Sequence, residues 1–240
     1  MMAAEPNMGS PELGVGNSPA RRPSPGVRPD GGRSPTLKLT QWSLRLLMRH
    51  LSPGGVDIAG LELVPARGPL LVCSNHLSNL DPLVFGAVFP RVMHAMAKAE
   101  MFDHPLLRRY LEQCNCFPVR RGAPDRRALR SARAVLDSGG SLVVFPEGHR
   151  SYGAGMLPFE PGIGFLAIQT GATIVPCGVW GTEVALPRGR LLPRRAKIHF
   201  RVGTPYRAEG GRPQEVSEEI QRRVSELLPT GYRESADRNQ

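Results

Sequence analysis

Short apolar runs alternate with segments of helical periodicity from residue 36 to residue 228, and this alternation constrains the fold most strongly. Runs of this length, mostly flanked by Gly, Pro, Asn or Ser, are typical of buried strands. The predicted strands are Leu70–Cys73, Val92–Ala97, Cys116–Val119, Leu142–Phe145, Thr173–Cys177 and Ile198–Val202. The predicted helices are Pro82–Phe89, Pro105–Gln113, Pro124–Asp137, Pro161–Thr170 and Pro213–Leu228. This order predicts one α/β domain, with a mainly parallel mixed sheet flanked by helices.

Composition sets the expected limits of this domain. Residues 1–36 are rich in Pro, Gly and Ser and lack an apolar period, so they are predicted to be a disordered tail. The domain is expected to span residues 37–230, and residues 231–240 to form a second disordered tail. Residues 37–51 predict an amphipathic helix, with its apolar residues Leu39, Trp42, Leu46, Leu47, Met48 and Leu51 at helical spacing. Such a helix either packs on the core or lies in a membrane interface, with Trp and Leu towards the lipid.

The chain is basic, with a formal net charge of +10 that comes mainly from arginine. Either the base composition of the genome explains the excess of arginine, or the protein has a partner rich in phosphate, such as nucleic acid or an anionic membrane. Arginines concentrate in residues 108–133 and 188–201, where aromatic residues are few, which disfavours a single-stranded nucleic acid partner. No apolar stretch is long enough to span a bilayer. A protein of this kind that touches a membrane is therefore expected to lie on its surface, in a peripheral position. The four cysteines form no CxxC pair, so we expect reduced thiols in a cytoplasmic compartment.

Two polar segments follow predicted strands, where ligands gather in α/β folds. The first runs from Asn75 to Asp81 and contains His76, whose ordinary pKa suits a general base. Asp81 could orient His76 across the turn, or could simply cap the next helix as its N-cap residue. The second runs from Phe145 to Ser151, and its Glu147, Gly148 and Arg150 suit either an anion site or a solvated loop. These residues alone leave both pairs of alternatives open.

The order of these segments resembles the glycerolipid acyltransferase family. The matching blocks are His-x4-Asp at residues 76–81, Phe-x-x-Arg at 117–120, Phe-Pro-Glu-Gly-x-Arg-Ser at 145–151, and Ile-Val-Pro at 174–176. The resemblance implies that His76 is the catalytic base and Asp81 its orienting carboxylate. It also implies substrate-binding roles for Arg120 (or Arg121, if the register slips), Glu147, Gly148, Arg150 and Pro176. His149, Glu160 and the pair Cys114-Asn115 depart from the family pattern and put the identity of the acceptor in doubt.

The expected reaction moves a fatty acyl group to the free hydroxyl of 1-acyl-glycerol 3-phosphate and yields phosphatidic acid. The donor is acyl-CoA or acyl-carrier protein. No metal or other cofactor is expected, because a thioester is already activated. The alternatives are glycerol 3-phosphate or another lysolipid as acceptor, a covalent route through Cys114 or Cys116, and a non-catalytic basic domain that binds membranes. The expected partners are therefore a lysophospholipid, an acyl thioester and an anionic membrane surface, but no nucleic acid.

Overall fold

The computed structural model describes residues 34–120, 125–151 and 155–233. These residues contain the strands β1 (Asp57–Ala59), β2 (Leu70–Ser74), β3 (Met93–Lys98), β4 (Cys116–Val119), β5 (Ser141–Val144), β6 (Thr173–Trp180) and β7 (His199–Val202). The strands form one sheet in the order β1-β7-β6-β2-β5-β3-β4. Every neighbouring pair is parallel except β6 and β7, which run antiparallel. This confirms the predicted α/β domain with a mainly parallel mixed sheet.

Helices cover both faces of the sheet. They are α1 (Pro35–Leu51), α2 (Asp81–Val88), α3 (Pro105–Gln113), α4 (Arg126–Asp137), α5 (Pro161–Thr170), α6 (Thr182–Ala185) and α7 (Pro213–Glu226). Side chains alternate along a strand, so Leu71 and Cys73 pack with α4, α5 and α7, whereas Leu70 and Val72 pack with α1 and α2. The central strand β2 is thereby buried on both faces, which accounts for its uninterrupted apolar sequence.

Helices α5 and α7 approach each other closely because glycine stands at their contact. A β-carbon on Gly164 would lie 2.0 Å from the carbonyl oxygen of Pro213. The Gly164 N–H donates a hydrogen bond of 3.1 Å to the hydroxyl of Ser217, which is fully buried on α7. Position 162 of the same helix has open space around it.

Several element boundaries differ from the predictions. Strand β1 and helix α6 are too short for a periodic pattern, and neither was predicted. Helix α1 begins at Pro35 with Ser34 as its N-cap, so residues 34–36 belong to a folded segment and not to a tail. A short 3-10 helix, Thr230–Tyr232, likewise extends past residue 230. The remainder of the two predicted tails, residues 1–33 and 234–240, lies outside the described residues.

Helix α1 packs on the core, as one of the two alternatives from its sequence predicted, while its position in a membrane interface stays a prediction. Leu37, Met48 and Leu51 are buried, and the last two join the core beside α2. Leu39, Trp42 and Leu46 are exposed. One side of the helix therefore packs on the domain, while another keeps an apolar surface in solvent. Across the described ranges, no helix is both long and apolar enough to cross a bilayer.

Candidate active site

The loop that follows β2 is fixed to β6 by the side chain of Asn75. Its amide nitrogen donates to the carbonyl oxygen of Val179 at 2.8 Å, and its amide oxygen accepts from the N–H of Val179 at 2.9 Å. The paired backbones of β2 and β6 end at Ser74 and Cys177. The side chain of Asn75 thus continues the hydrogen bonding between β2 and β6 beyond the end of their backbone pairing, and it holds the start of the loop in place.

Asp81, the first residue of α2, contacts this loop through its carboxylate and is completely buried. Its Oδ2 accepts hydrogen bonds from the Nδ1 of His76 at 2.8 Å and from the N–H groups of Leu77 and Ser78 at 2.7 and 2.8 Å. Its Oδ1 accepts from the hydroxyl of Thr182 at 2.5 Å. Four donors therefore satisfy a carboxylate that has no access to water.

The prediction that Asp81 is the N-cap of α2 is wrong. Asp81 is the first residue of that helix, and Leu80 occupies the cap position. An N-cap carboxylate binds the amides that follow it, whereas Asp81 binds the amides of residues that precede it. Its side chain therefore folds back over the loop and towards the histidine.

The ring of His76 contacts Asp81 through Nδ1, which leaves Nε2 as the nitrogen that could contact a substrate. Because a carboxylate only accepts, the contact with Asp81 favours the tautomer of the neutral imidazole that carries its proton on Nδ1, and this tautomer has a lone pair on Nε2. The ring stacks on Phe145, with centroids 4.4 Å apart. The described residues supply no hydrogen bond to Nε2. A fixed imidazole whose second nitrogen is unprotonated can accept a proton from a hydroxyl.

The loop after β5 fixes the backbone of His76. Glu147 is only 3% exposed; its Oε1 accepts the N–H of His76 at 2.6 Å, and its Oε2 accepts the N–H of Leu157 at 2.9 Å. From the other side, the N–H of Ser151 donates to the carbonyl oxygen of His76 at 2.9 Å. Both backbone groups of His76 are thus bound by one neighbouring loop.

Burial raises the pKa of Glu147 to about 7, although the two N–H groups that it accepts act in the opposite direction. The negative charge of Asp81 adds to the rise. Both oxygens of Glu147 accept hydrogen bonds from backbone N–H groups, so its contacts explain how Glu147 holds the backbone of His76 in place. Binding of substrate by Glu147 stays a prediction.

Gly148 and Arg150 belong to the same loop. The N–H of Gly148 donates to the carbonyl oxygen of Phe145 at 3.1 Å and closes a turn, and its φ of +68° favours glycine. Arg150 is half-buried and directly precedes Ser151, which binds the His76 backbone. Arg150 is therefore the neighbour in sequence of a residue that holds the histidine backbone.

The other predicted binding residues lie at different points of the sheet. Arg120 follows β4, is exposed, and donates its N–H to the carboxylate of Asp125 at 3.0 Å. Strand β4 is three positions from β2, or about 14 Å at the usual strand spacing, along the same carboxyl edge. Arg121 lies outside the described residues. Pro176 is buried inside β6 beside Cys73, and its carbonyl oxygen accepts from Gly203 at 2.9 Å.

Thr182 is the main functional candidate that sequence reasoning missed. It is fully buried at the start of α6, 101 residues from the carboxylate that it binds. Its only sequence signal is the Gly-Thr pair directly after β6, where Gly181 has a φ of +86°. A β-carbon at position 181 would lie 2.0 Å from the carbonyl oxygen of Lys197, so this turn requires glycine.

The site offers little for a metal or for a cysteine nucleophile. Within residues 34–120, 125–151 and 155–233, no three His, Cys, Asp or Glu side chains are grouped so as to hold a metal ion. Burial raises the pKa of Cys116 to about 12, so its thiol is a poor nucleophile near neutral pH. His76 and Asp81 are the pair whose geometry suits proton transfer.

These features define a class: an α/β protein with a buried histidine–aspartate pair at the carboxyl edge of its sheet. Residues 55–180, just over half of the chain, match the family model described as Acyltransferase. The chain belongs to the Acyltransferase family. The matched region contains both polar segments of the site, residues 75–81 with His76 and residues 145–151 with Glu147.

Similar proteins carry more specific names. The chain is 30% identical over 181 residues to a 1-acyl-sn-glycerol-3-phosphate acyltransferase from Cocos nucifera, covering 74% of this chain and 58% of that protein. It is 27% identical over 221 residues to a lyso-ornithine lipid O-acyltransferase from Pseudomonas aeruginosa, covering 83% of each. The crystal structure of the 1-acyl-sn-glycerophosphate acyltransferase from Thermotoga maritima superposes with a TM-score of 0.67 at 27% identity, covering 80% of this chain and 79% of that one. The chain thus spans less than two thirds of the length of the coconut relative.

Proposed function

We propose that this chain transfers a fatty acyl group from a thioester to the free hydroxyl of 1-acyl-glycerol 3-phosphate, forming phosphatidic acid. The observation that carries the proposal is the 2.8 Å contact between His76 Nδ1 and the fully buried Asp81 carboxylate. It leaves Nε2 able to accept a proton. The names of the coconut and Thermotoga relatives support this choice of acceptor.

The reaction proceeds in two balanced steps. The acceptor hydroxyl loses its proton to Nε2 of His76 while its oxygen attacks the thioester carbonyl carbon. The resulting tetrahedral species collapses, the C–S bond breaks, and the departing sulfur takes the proton back from the imidazolium. Asp81 stabilises the imidazolium during the step. Because the thioester is already activated, the chemistry requires no metal, and either acyl-CoA or acyl-carrier protein can donate.

Binding of the acceptor phosphate is assigned to Arg120 or Arg121 and to Arg150. Guanidinium groups bind phosphate through two parallel hydrogen bonds, which fixes the hydroxyl relative to His76. Pro176 shapes the buried wall of the site beside β2. Because the acceptor is a lipid, the chain is expected to work at an anionic membrane surface on the cytoplasmic side.

A second acceptor class has its own support. The lyso-ornithine lipid acyltransferase matches 83% of both chains, a larger share of each than the coconut relative. An ornithine headgroup is an amino acid and lacks phosphate, so recognition of such a substrate would not use arginine–phosphate pairs. The same His76 chemistry would serve either hydroxyl.

The test combines a substrate panel with two variants. Wild type, His76→Ala and His104→Ala are given labelled acyl-CoA or acyl-carrier protein, with 1-acyl-glycerol 3-phosphate, glycerol 3-phosphate or lyso-ornithine lipid. His104 is exposed at the start of α3 and serves as the matched control. We expect phosphatidic acid from wild type and from His104→Ala, and a loss of about 10²–10⁴-fold in His76→Ala.

Two results would overturn parts of the proposal. Full activity in a folded His76→Ala protein would refute the general-base role. Activity confined to the ornithine lipid would refute the phosphate acceptor while leaving acyl transfer intact. His76→Gln can still donate to Asp81 but cannot act as a base, so it provides the same test if the alanine variant does not fold.

A further inference from the structure

The loop between α6 and β7, residues 186–197, carries two adjacent leucines in solvent. Leu191 is 94% exposed and Leu192 is 82% exposed, more than any other large apolar side chain among the described residues. Single exposed leucines are common on protein surfaces, but a neighbouring pair with almost its whole surface in water is costly unless something covers it.

The backbone of the loop is held at two points. The N–H of Arg190 donates to the carbonyl oxygen of Pro187 at 3.2 Å, and Gly189 between them has a φ of +80°. At the base, the N–H of Arg194 donates to the carbonyl oxygen of Ala185 at 2.8 Å. The leucine pair therefore stands at the tip of a defined projection.

Positive charge surrounds this tip. The loop contains the exposed cations Arg188, Arg190, Arg194, Arg195 and Lys197. The sequence contains no acidic residue between Glu183 and Glu209. Arg194 and Arg195 each donate one Nε hydrogen bond, to the carbonyl oxygens of Val184 at 2.8 Å and His50 at 3.2 Å, and both side chains remain exposed. The five cations, called here the arginine collar, flank the leucine pair in sequence. An apolar pair flanked by cations is complementary to a layer that is anionic at its surface and apolar beneath.

Both ends of the loop are attached to parts of the molecule already described. At its start, the carbonyl oxygen of Leu186 accepts the hydroxyl of Ser78, in the loop that holds His76, at 3.1 Å. At its end, the N–H of Ala196 donates to the carbonyl oxygen of Leu51, the last residue of α1, at 2.9 Å. The projection thus begins beside the candidate active site and returns to α1.

We propose that residues 186–197 form a membrane-insertion loop, in which Leu191 and Leu192 enter the acyl region of an anionic bilayer while the surrounding arginines bind lipid phosphates. The loop is additional to the apolar side of α1 and lies next to the histidine loop. It deepens the proposed function by identifying where the protein meets the lipid that it acylates. Binding itself requires no turnover, so it can be measured separately from acyl transfer.

The first experiment measures co-sedimentation of the full chain with vesicles of phosphatidylcholine containing about 30% phosphatidylglycerol, and with phosphatidylcholine alone. Leu191→Ser/Leu192→Ser is compared with wild type and with Phe165→Ser. Phe165 is an exposed apolar residue on α5, a helix that packs on the opposite face of the sheet from α1 and α2. Circular dichroism and the thermal midpoint establish that each variant is folded.

We expect the leucine double variant to lose at least about tenfold in partition coefficient on anionic vesicles, and Phe165→Ser to bind as wild type does. Wild-type binding is expected to weaken when the salt concentration rises to about 0.5 M, because salt screens the arginine collar. In a Trp42→Phe background, Trp180 is the remaining native tryptophan, so the spectrum of that background is subtracted. The emission that Leu192→Trp adds is expected to shift to shorter wavelength with vesicles and to be quenched by brominated acyl chains.

Wild-type affinity in the folded double variant, or an unshifted emission from Leu192→Trp, would overturn the proposal. A lack of binding of wild type to anionic vesicles would also overturn the proposal, and would indicate that a protein partner covers the leucine pair. None of these results depends on acyl transfer. A protein that binds vesicles through this loop but transfers no acyl group would refute only the proposed function.

Discussion

Replacing Thr182 with valine tests whether the buried carboxylate of Asp81 depends on its most distant donor. Valine has nearly the same shape as threonine, so the substitution removes the hydroxyl without leaving a cavity. Oδ1 of Asp81 would then lose the hydrogen bond of 2.5 Å that Thr182 supplies. Both side chains are completely buried, so water cannot replace the donor without a structural change.

The size of the effect follows from the cost of an unsatisfied buried acceptor. A hydrogen bond to a charged group contributes about 1.5–3 kcal/mol, so we expect Thr182→Val to lower the free energy of unfolding by that amount. In urea, this corresponds to a midpoint lower by about 1 M. His76 loses part of its alignment as Asp81 shifts, so kcat should fall by about tenfold while KM stays close to the wild-type value.

Thr182→Ser provides the matched control, because it keeps the hydroxyl and removes only a methyl group. We expect it to recover most of the wild-type kcat and to lose only about 1 kcal/mol of stability. If Thr182→Val kept both the wild-type urea midpoint and the wild-type kcat, Thr182 would have no role in holding Asp81.

Two further predictions concern stability. Glu147 has a pKa of about 7 in the folded protein, above its ordinary value of 4.5, so the folded state keeps a proton that the unfolded chain has lost. The free energy of unfolding should therefore fall by about 3 kcal/mol in total as pH rises from about 4.5 to about 7. Urea titrations at pH 5 and pH 8 should show a smaller fall in Glu147→Gln than in wild type. Equal falls in the two proteins would contradict the assignment of this pKa to Glu147. On α5, Gly164→Ala should lower the free energy of unfolding by about 1–3 kcal/mol because its β-carbon meets Pro213. Gly162→Ala, in open space on the same helix, should be neutral or stabilise by up to about 1 kcal/mol, and the same sign for both alanine variants would argue against the close contact of α5 with α7.

The sequence predicted the elements whose patterns are long enough to show a period. Helices α3 and α5 begin and end at the predicted residues, and strand β4 does as well. Strand β6 continues three residues beyond its predicted end, because its last part pairs antiparallel with β7. That pairing depends on partners 19 to 25 residues away in the chain, which local periodicity does not reveal.

The part of the candidate site whose residues are close in sequence was predictable, and the part formed by distant residues was not. His76 and Asp81 are close in sequence, and the spacing was sufficient to suggest their contact. The contacts of Glu147 with the His76 backbone and of Thr182 with Asp81 join loops that only the folded sheet brings together. The substrate-binding role of Glu147 rests on the family resemblance, whereas its contacts with two backbone N–H groups could not be predicted from the sequence.

The long-range contacts of the central loop also determine when the site can form during synthesis. Asn75 binds Val179 across 104 residues, and Asp81 binds Thr182 across 101 residues. A growing chain that ends before residue 182 contains the histidine and the aspartate but lacks the donor and the strand that hold them. Closing such long segments is slow compared with forming local helices. We therefore expect His76 to gain its working geometry only after Thr182 and the strand before it have left the ribosome, so that shorter nascent chains remain inactive.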